Sequence, residues 1–233
     1  MRCNLDDRNF VGGVVMTVLC FTAFPAMIVN AESQKTTRLS GPSVIRLPAP
    51  AYKGKMSLEE ALKNRQSVRN FSVGSLTTKE LSQLLWAAQG KTRDGGARTA
   101  PSAGALFPLE LYVVMKEGVF RYVSGEHRLL RLVASDVRGQ LASAALGQKS
   151  VQKAPAVFVI AAVYERTFEK YGNRAERYVK MEAGHAGQNL LLQAAALGLA
   201  AVPIGAFHDE HVRQVLYLPA RHQPLYLIPV GWK

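Results

Sequence analysis

The sequence predicts a protein of the mixed α/β or α+β class. Short apolar runs of strand length alternate along the chain with segments that carry helix-start signals. About 200 residues follow the N-terminal segment, and 48% of the whole chain is hydrophobic. That length and composition suit one domain with a single well-formed core.

Residues 1–31 are predicted to be a secretory signal peptide, which is cleaved off and forms no part of the mature fold. Arg2 and Arg8 precede an uncharged apolar stretch over residues 10–29, and residues 29–31 (Val-Asn-Ala) form a small-residue cleavage pattern. The apolar stretch is also long enough to span a bilayer, so an uncleaved membrane anchor is the alternative. We therefore expect an exported protein, located in the periplasm.

Cysteine content and net charge limit the kinds of functional site and ligand that we expect. Cys3 and Cys20 both lie inside the predicted signal peptide, so the predicted mature chain has no disulfide, no cysteine nucleophile and no cysteine-based metal site. The formal net charge of +12 favours anionic ligands or acidic surfaces. Basic residues are scattered among acidic ones without an aromatic-interleaved run, so we do not expect a nucleic-acid-binding protein.

The N-terminal part of the domain carries two clear helix starts. Residues 32–55 are polar and then proline-rich, which predicts an extended lead-in or linker. A capping box over residues 57–60 predicts a helix that runs to about Asn64. A second capping box over residues 77–80 predicts a helix that ends near Gly90.

The remaining elements follow from apolar runs and from the glycines that end them. They are a loop over residues 91–107, a strand over 109–115 that turns at Gly118 into a strand over 119–123, a helix over 136–147, a buried strand over 156–163, a long helix over 174–197, an extended segment over 200–204, a small helix over 209–216 and a last strand over 225–230. The last two turns of the long helix are apolar nearly all round, so we expect them in the core or at a subunit interface.

A compact basic cluster follows the first predicted helix. Arg65, Ser67 and Arg69 place two guanidinium groups and a hydroxyl within five residues. These groups can converge on one phosphate, because arginine offers planar bidentate donors and serine adds a neutral one. The alternative is a solvated helix end whose arginines cover apolar surface.

Two loops suit the close approach of a flat ligand. Residues 100–108 and 201–207 combine proline and glycine with small residues, which leaves their backbone accessible. A flavin ring is such a ligand, because backbone N–H and C=O groups can bind its edge while its N5 needs access and a hydrogen-bond donor. Ordinary turns use the same residue types, so each loop alone is weak evidence.

Other common sites are not indicated. The sequence has no G-x-S-x-G nucleophile elbow, no G-x-G-x-x-G fingerprint and no P-loop. His208 and His211 share a helix face, but no third ligand lies nearby in sequence, so we interpret them as a solvated helix start rather than a metal site. His185 is left unassigned, and no side chain is identified as catalytic.

Taken together and in order, five segments resemble the FMN-dependent nitroreductase family, specifically its SagB-type (thiazole/oxazole oxidase-like) dehydrogenase branch. The segments are Arg65-x-Ser67-x-Arg69, residues 84–90, residues 101–108, residues 182–185 with Gln188-Asn189, and residues 198–205. The resemblance extends from about Leu58 to Lys233, so residues 56–233 are taken as one FMN-binding domain. The branch usually has tyrosine where Phe107 stands.

The resemblance implies an α+β fold with a central mixed sheet flanked by helices. It also implies a homodimer with the long helix at the interface, FMN at that interface, and ping-pong hydride or electron transfer at flavin N5 with a small-molecule substrate or electron acceptor. Arg65, Gln66, Ser67, Arg69 and Lys233 would hold the phosphate end of FMN, Pro101, Ser102, Ala103 and Gly104 would line the ring edge, and Pro203, Ile204 and Gly205 would lie near N5. The alternative is a non-catalytic periplasmic flavin- or anion-binding module that retains the fold.

Overall fold

The computed structural model describes residues 43–233, and the predicted signal peptide lies outside them. The centre of this part is a seven-stranded sheet. Its strands are β1 Val44–Arg46, β2 Leu109–Met115, β3 Gly118–Val123, β4 Arg128–Val133, β5 Ala156–Ala162, β6 Leu199–Ala201 and β7 Gln223–Trp232.

The strand order in the sheet is β1-β4-β3-β2-β5-β7-β6, and neighbouring strands pair antiparallel. A parallel bridge between Ser67 and Ala201 extends the sheet at the β6 edge and makes it mixed. Every residue of the central strands β2 and β5 is buried. The predicted α+β fold with a central mixed sheet is confirmed.

Helices cover both faces of the sheet. They are α1 Leu58–Asn64, α2 Thr78–Gln89, α3 Arg138–Ala144, α4 Lys149–Lys153, α5 Glu165–Tyr171, α6 Ala175–Ala196 and α7 Asp209–Val215. Both predicted capping boxes form. At the start of α1, the Ser57 hydroxyl accepts from the Glu60 N–H at 3.1 Å, and the Glu60 carboxylate accepts from the Ser57 N–H at 2.9 Å. The predicted starts of α1 and α2 are therefore correct.

The sheet separates two hydrophobic clusters, because alternate residues of a strand point to opposite faces. On β2, Val113 joins the cluster covered by α2 and α6, whereas Tyr112 joins the cluster covered by α3 and α7. Leu190 and Ala194 of the C-terminal half of α6 are buried in the first cluster. No helix within residues 43–233 is long and apolar enough to cross a membrane.

Four elements, β1, β4, α4 and α5, were not expected from the sequence. Strand β1 lies inside residues 32–55, where only an extended lead-in was predicted, and it pairs with the equally unpredicted β4. Helix α5 starts without a side-chain cap, so its start carries no sequence signal. The predicted helix over 136–147 ends earlier, at Ala144, because Leu146 and Gly147 have φ angles of +58° and +72°.

Candidate functional site

The segment after α1 runs along the β6 edge of the sheet. Arg65 leaves the helix with an extended backbone, although its N–H still donates to the Ala61 carbonyl oxygen at 2.9 Å. Farther on, the Val68 N–H donates to the Ala201 carbonyl oxygen at 3.0 Å. These backbone contacts hold the basic cluster beside strand β6.

The C-terminal residue lies at the same place. Arg65, Gln66 and Lys233 line one narrow cavity. Arg65 is half-buried, while Ser67 and Arg69 are exposed. Within residues 43–233, the side chains of these two arginines, Ser67 and Lys233 make no hydrogen bond or ion pair. The predicted phosphate-binding residues thus share one sheet edge, with their donor groups available for an anion.

Among the three residues expected near flavin N5, the loop that follows β6 has one available backbone donor. The Ile204 N–H is used, because it donates to the Leu227 carbonyl oxygen at 2.8 Å, and Pro203 has no N–H. The exposed Gly205 has an N–H for which the described part of the chain supplies no acceptor. Of the three residues expected near flavin N5, only Gly205 can therefore donate a backbone hydrogen bond.

The loop before β2 is conformationally strained. Gly104, Ala105 and Phe107 have φ angles of +63°, +54° and +47°. An L-residue in this left-handed region costs about 1–2 kcal/mol. Such strain persists only where the surroundings enforce it, and it concentrates at functional sites. The loop therefore has a defined shape set by more than its local sequence.

Phe107 is fixed from both sides of its backbone. Its N–H donates to the Ser102 hydroxyl oxygen at 2.9 Å, and its carbonyl oxygen accepts from an Arg166 N–H at 3.0 Å. Its ring lies 4.5 Å from the guanidinium carbon of Arg98. These contacts hold the loop over residues 101–107 in its strained shape.

Two proton-bearing side chains lie against this loop. A Cβ added at Gly104 would lie 2.9 Å from the Tyr171 hydroxyl and 3.1 Å from the Lys170 ammonium. The Tyr171 ring packs edge-on against Tyr178, with ring centroids 5.1 Å apart. Sequence analysis missed both residues, because they end the unpredicted helix α5.

A buried carboxyl group also approaches the loop. Glu182 on α6 is 3% exposed, and burial raises its pKa to about 7, while Ser102 and Arg98 offset part of the shift. Its Oε1 has no hydrogen-bond partner within the described residues, and neither has Nε2 of the buried Gln89. In the sequence, Glu182 was noted only as part of a motif, and its burial is a property of how α6 packs in the fold.

The three candidate segments do not all meet within one chain. Residues 65–69 run beside strand β6, with Ser67 bridged to its last residue Ala201, and residues 203–205 follow the same end of the strand. Among residues 43–233, no hydrogen bond or β-bridge joins the loop over 101–104 to either segment. A single chain therefore presents two separate parts of the expected site.

The histidine pair does not form a metal site with neighbouring residues. The rings of His208 and His211 are 5.3 Å apart, and both residues are exposed. No group of three His, Cys, Asp or Glu side chains within residues 43–233 is arranged to hold a metal ion. The nearby Glu210 carboxylate is instead paired with Arg213.

Comparison with known proteins agrees with this fold. The profile of the nitroreductase family matches residues 62–232. The chain is 45% identical over 184 residues to a predicted nitroreductase of Methanocaldococcus jannaschii, covering 76% of this chain and 92% of that protein. The crystal structure of a predicted nitroreductase from Ralstonia eutropha has a TM-score of 0.74 and 33% identity, over 81% of this chain and 89% of that one.

A third similarity concerns the fold alone. A chain of the Escherichia coli microcin synthetase complex McbBCD superimposes with a TM-score of 0.63 and 22% identity, over 90% of this chain and 84% of that one. The family profile and the 45% identical relative both cover most of the chain. The chain therefore belongs to the nitroreductase family.

Proposed function

We propose that this protein is an FMN-dependent oxidoreductase that works by a ping-pong mechanism. Membership of the nitroreductase family supports oxidoreductase activity. When bound, FMN would supply the redox chemistry by accepting and returning electrons at N5. One observation carries the proposal. Within residues 43–233, the side chains that could bind a phosphate make no hydrogen bond or ion pair, and they lie along the β6 edge together with the Gly205 N–H, which has no acceptor there.

The phosphate end of the cofactor suits the basic cluster. Arg65, Arg69 and Lys233 offer three cations, and Ser67 adds a hydroxyl. A phosphate monoester carries about two negative charges at neutral pH, so these donors would form charge-assisted hydrogen bonds with it. Gln66 lines the same cavity and would contact the ribityl chain.

The reactive end suits the loop after β6. Gly205 would donate its N–H to N5, because the neighbouring Ile204 N–H is already bonded to Leu227. This donor would favour the electron-rich reduced state at that atom. Pro101, Ser102, Ala103 and Gly104 would bind the ring edge from the strained loop.

A homodimer would complete the site. Loop 101–104 is not joined to the other two segments within the described part of one chain, so we propose that a second copy supplies it. Helix α6 is the expected interface helix, and the exposed Met181 and His185 lie on it. Dimers are typical of the family to which this chain belongs.

The finer assignment is the SagB-type dehydrogenase branch. It is supported by the Arg65-x-Ser67-x-Arg69 motif and by the segments over residues 101–108 and 198–205. The shared fold with a chain of the McbBCD complex is compatible with it. The substrate would be a small molecule that reaches the exposed ring face, where both the reductase and the dehydrogenase reactions would run through N5.

We also propose that the protein is exported. The support is the sequence pattern of Arg2, Arg8, the apolar stretch over 10–29 and the small-residue pattern that ends at Ala31. N-terminal sequencing of protein recovered from the periplasmic fraction should begin at Glu32. Recovery of the full-length chain in the membrane fraction would instead indicate an uncleaved anchor.

The direct test of the function is the colour and turnover of the purified protein. It should be yellow, and denaturation should release FMN rather than FAD or riboflavin. Stopped-flow reduction followed by mixing with acceptors should show reoxidation faster than by oxygen alone. A flavin that is reduced but never reoxidised faster by any acceptor would favour a non-catalytic binding module.

A further inference from the structure

A polar cavity of about 200 Å³ lies beside the loop over 101–107, and none of the residues assigned to FMN lines it. It opens where the end of α2 and strands β2 and β3 meet. Its polar lining comes from Gln89, Arg98, Glu110, Arg121 and Arg166, and its rim includes Gly125. None of these residues belongs to the basic cluster, the loop over 101–104 or the loop over 203–205.

The single carboxylate in the lining is already fully engaged. Glu110 is 7% exposed, and its two oxygens accept separately from Arg121 at 3.0 Å and from Arg166 at 2.5 Å. These partners lower the pKa of Glu110 although burial opposes the charge. One buried carboxylate thus stays ionised and neutralises only one of its two arginines.

Arg98 adds a cation without a carboxylate partner. Its guanidinium donates to the Gln89 side-chain oxygen at 3.0 Å, and within residues 43–233 it makes no ion pair. Burial lowers the pKa of Arg98. A guanidinium has five N–H donors, so most of those on Arg98 remain available to a ligand in the cavity.

Lys91 lies at the rim of the cavity, next to Gly125. A Cβ added at Gly125 would lie 3.8 Å from the Lys91 ammonium. The backbones of Lys91 and Arg98 are joined by an antiparallel bridge, which holds both cations on one turn beside the cavity. Even with Glu182 ionised behind Arg98, cations outnumber carboxylates around this space.

We propose that this cavity binds a small dianion that carries carboxylate or phosphate groups. Guanidinium forks bind the paired oxygens of either group by parallel charge-assisted hydrogen bonds. One water occupies about 30 Å³ in the liquid, so this cavity of about 200 Å³ has the volume of about seven waters and takes a ligand of similar size. The dianion would neutralise the excess charge of Arg98, Arg121 and Arg166.

The test is calorimetric titration of the FMN-loaded protein with succinate and, separately, with inorganic phosphate. Loading with FMN keeps the phosphate probe out of the cofactor site. At least one probe should bind at millimolar concentration or below, and the better binder identifies a carboxylate or a phosphate ligand. No binding of either probe at millimolar concentration would overturn the proposal.

Matched variants locate the binding. Arg98→Gln should weaken it about tenfold or more, because a charged hydrogen-bond partner is lost. If Arg98→Gln fails to fold, the variants Gly125→Glu and Gly125→Ala test the location of binding at an exposed position on the cavity rim. Gly125→Glu should abolish binding, because its carboxylate repels the dianion. Gly125→Ala should leave binding unchanged, because the added Cβ contacts the Lys91 side chain at an ordinary van der Waals distance. Equal affinity in the two Gly125 variants would refute the site.

Discussion

The Val68 N–H and the Ala201 carbonyl oxygen are joined by a hydrogen bond of 3.0 Å. This contact connects the segment that carries Arg65 and Arg69 to the strand that continues into Gly205. The two segments are more than 130 residues apart in sequence. Strand β6 therefore fixes the spacing between the expected phosphate donors and the free backbone donor.

The Gly205 donor is tested by a pair of substitutions. Gly205→Pro removes the N–H, and the extended backbone of Ile204 tolerates a following proline. We expect flavin reduction to slow by about a hundredfold to a thousandfold, the range for losing one preorganised donor. Stopped-flow absorbance at the flavin band measures the rate.

Gly205→Ala is the control for that experiment. It keeps the N–H, and its added Cβ meets no atom within 4 Å. Its rate should stay close to that of the wild type. If Gly205→Pro reduces its flavin as fast as Gly205→Ala does, the donor lies elsewhere.

The left-handed turn at Gly104 predicts a cost for any side chain there. Gly104→Ala places a Cβ at a φ of +63°, 2.9 Å from the Tyr171 hydroxyl, so the free energy of unfolding should fall by about 1–2 kcal/mol. Denaturant unfolding measures the loss. Adding Tyr171→Phe removes the atom of closest approach, so the double variant should regain part of the stability but not the part due to φ. An unchanged stability in Gly104→Ala would contradict the strained loop.

Sequence patterns predicted the fold well where the determining residues are close together. The two capping boxes correctly predicted where α1 and α2 begin, and the apolar runs correctly predicted β2 and β5. Strand β4 was not predicted, because Arg128 and Arg131 interrupt its apolar pattern. Strand β1 has only three residues and depends on β4 for its pairing.

The candidate site was predictable only in part, because many of its contacts join residues that are far apart in sequence. The basic cluster and the two loops were found as local motifs, but their partners come from distant segments. Nothing near Glu110 in sequence indicates that Arg166, 56 residues away, pairs with it. The burial of Glu182 likewise depends on how α6 packs against the sheet.

Glu182 predicts a pH dependence of stability. Burial raises its pKa from 4.5 to about 7, so between these values the folded chain keeps a proton that the unfolded chain loses. Stability due to this group therefore falls as pH rises through that window and levels off above it. Glu182→Gln does not titrate, so its unfolding free energy relative to wild type should rise by up to about 3 kcal/mol between about pH 5 and about pH 8.

Denaturant unfolding at the two pH values measures this difference. Glu176→Gln is the matched control, because Glu176 lies on the same helix, is exposed and pairs with Lys180. It should show no comparable rise. A Glu182→Gln difference that is constant with pH would mean that this carboxyl titrates as it does in the unfolded chain.

The proposed sharing of the site between subunits predicts complementation. A chain with Arg65→Ala and Arg69→Ala and a chain with Gly104→Val should each bind FMN poorly as homodimers. In a mixed dimer one site combines the intact cluster of one chain with the intact loop of the other, so FMN binding should return to one of the two sites. Co-expression with two affinity tags and measurement of flavin per dimer tests this, and a mixed dimer without FMN would place each site within a single chain.

The most direct test of the central claim is the FMN affinity of the double variant Arg65→Ala/Arg69→Ala. Loss of two charge-assisted contacts should weaken binding by about 3 kcal/mol or more, which is at least about a hundredfold. The control Arg46→Ala/Arg131→Ala removes the same charge from β1 and β4, at the opposite edge of the sheet, and should bind FMN like the wild type. Fluorescence titration of the apoprotein with FMN should show this contrast. Equal affinity in the two double variants, or a wild-type protein that takes up no FMN, would contradict the account.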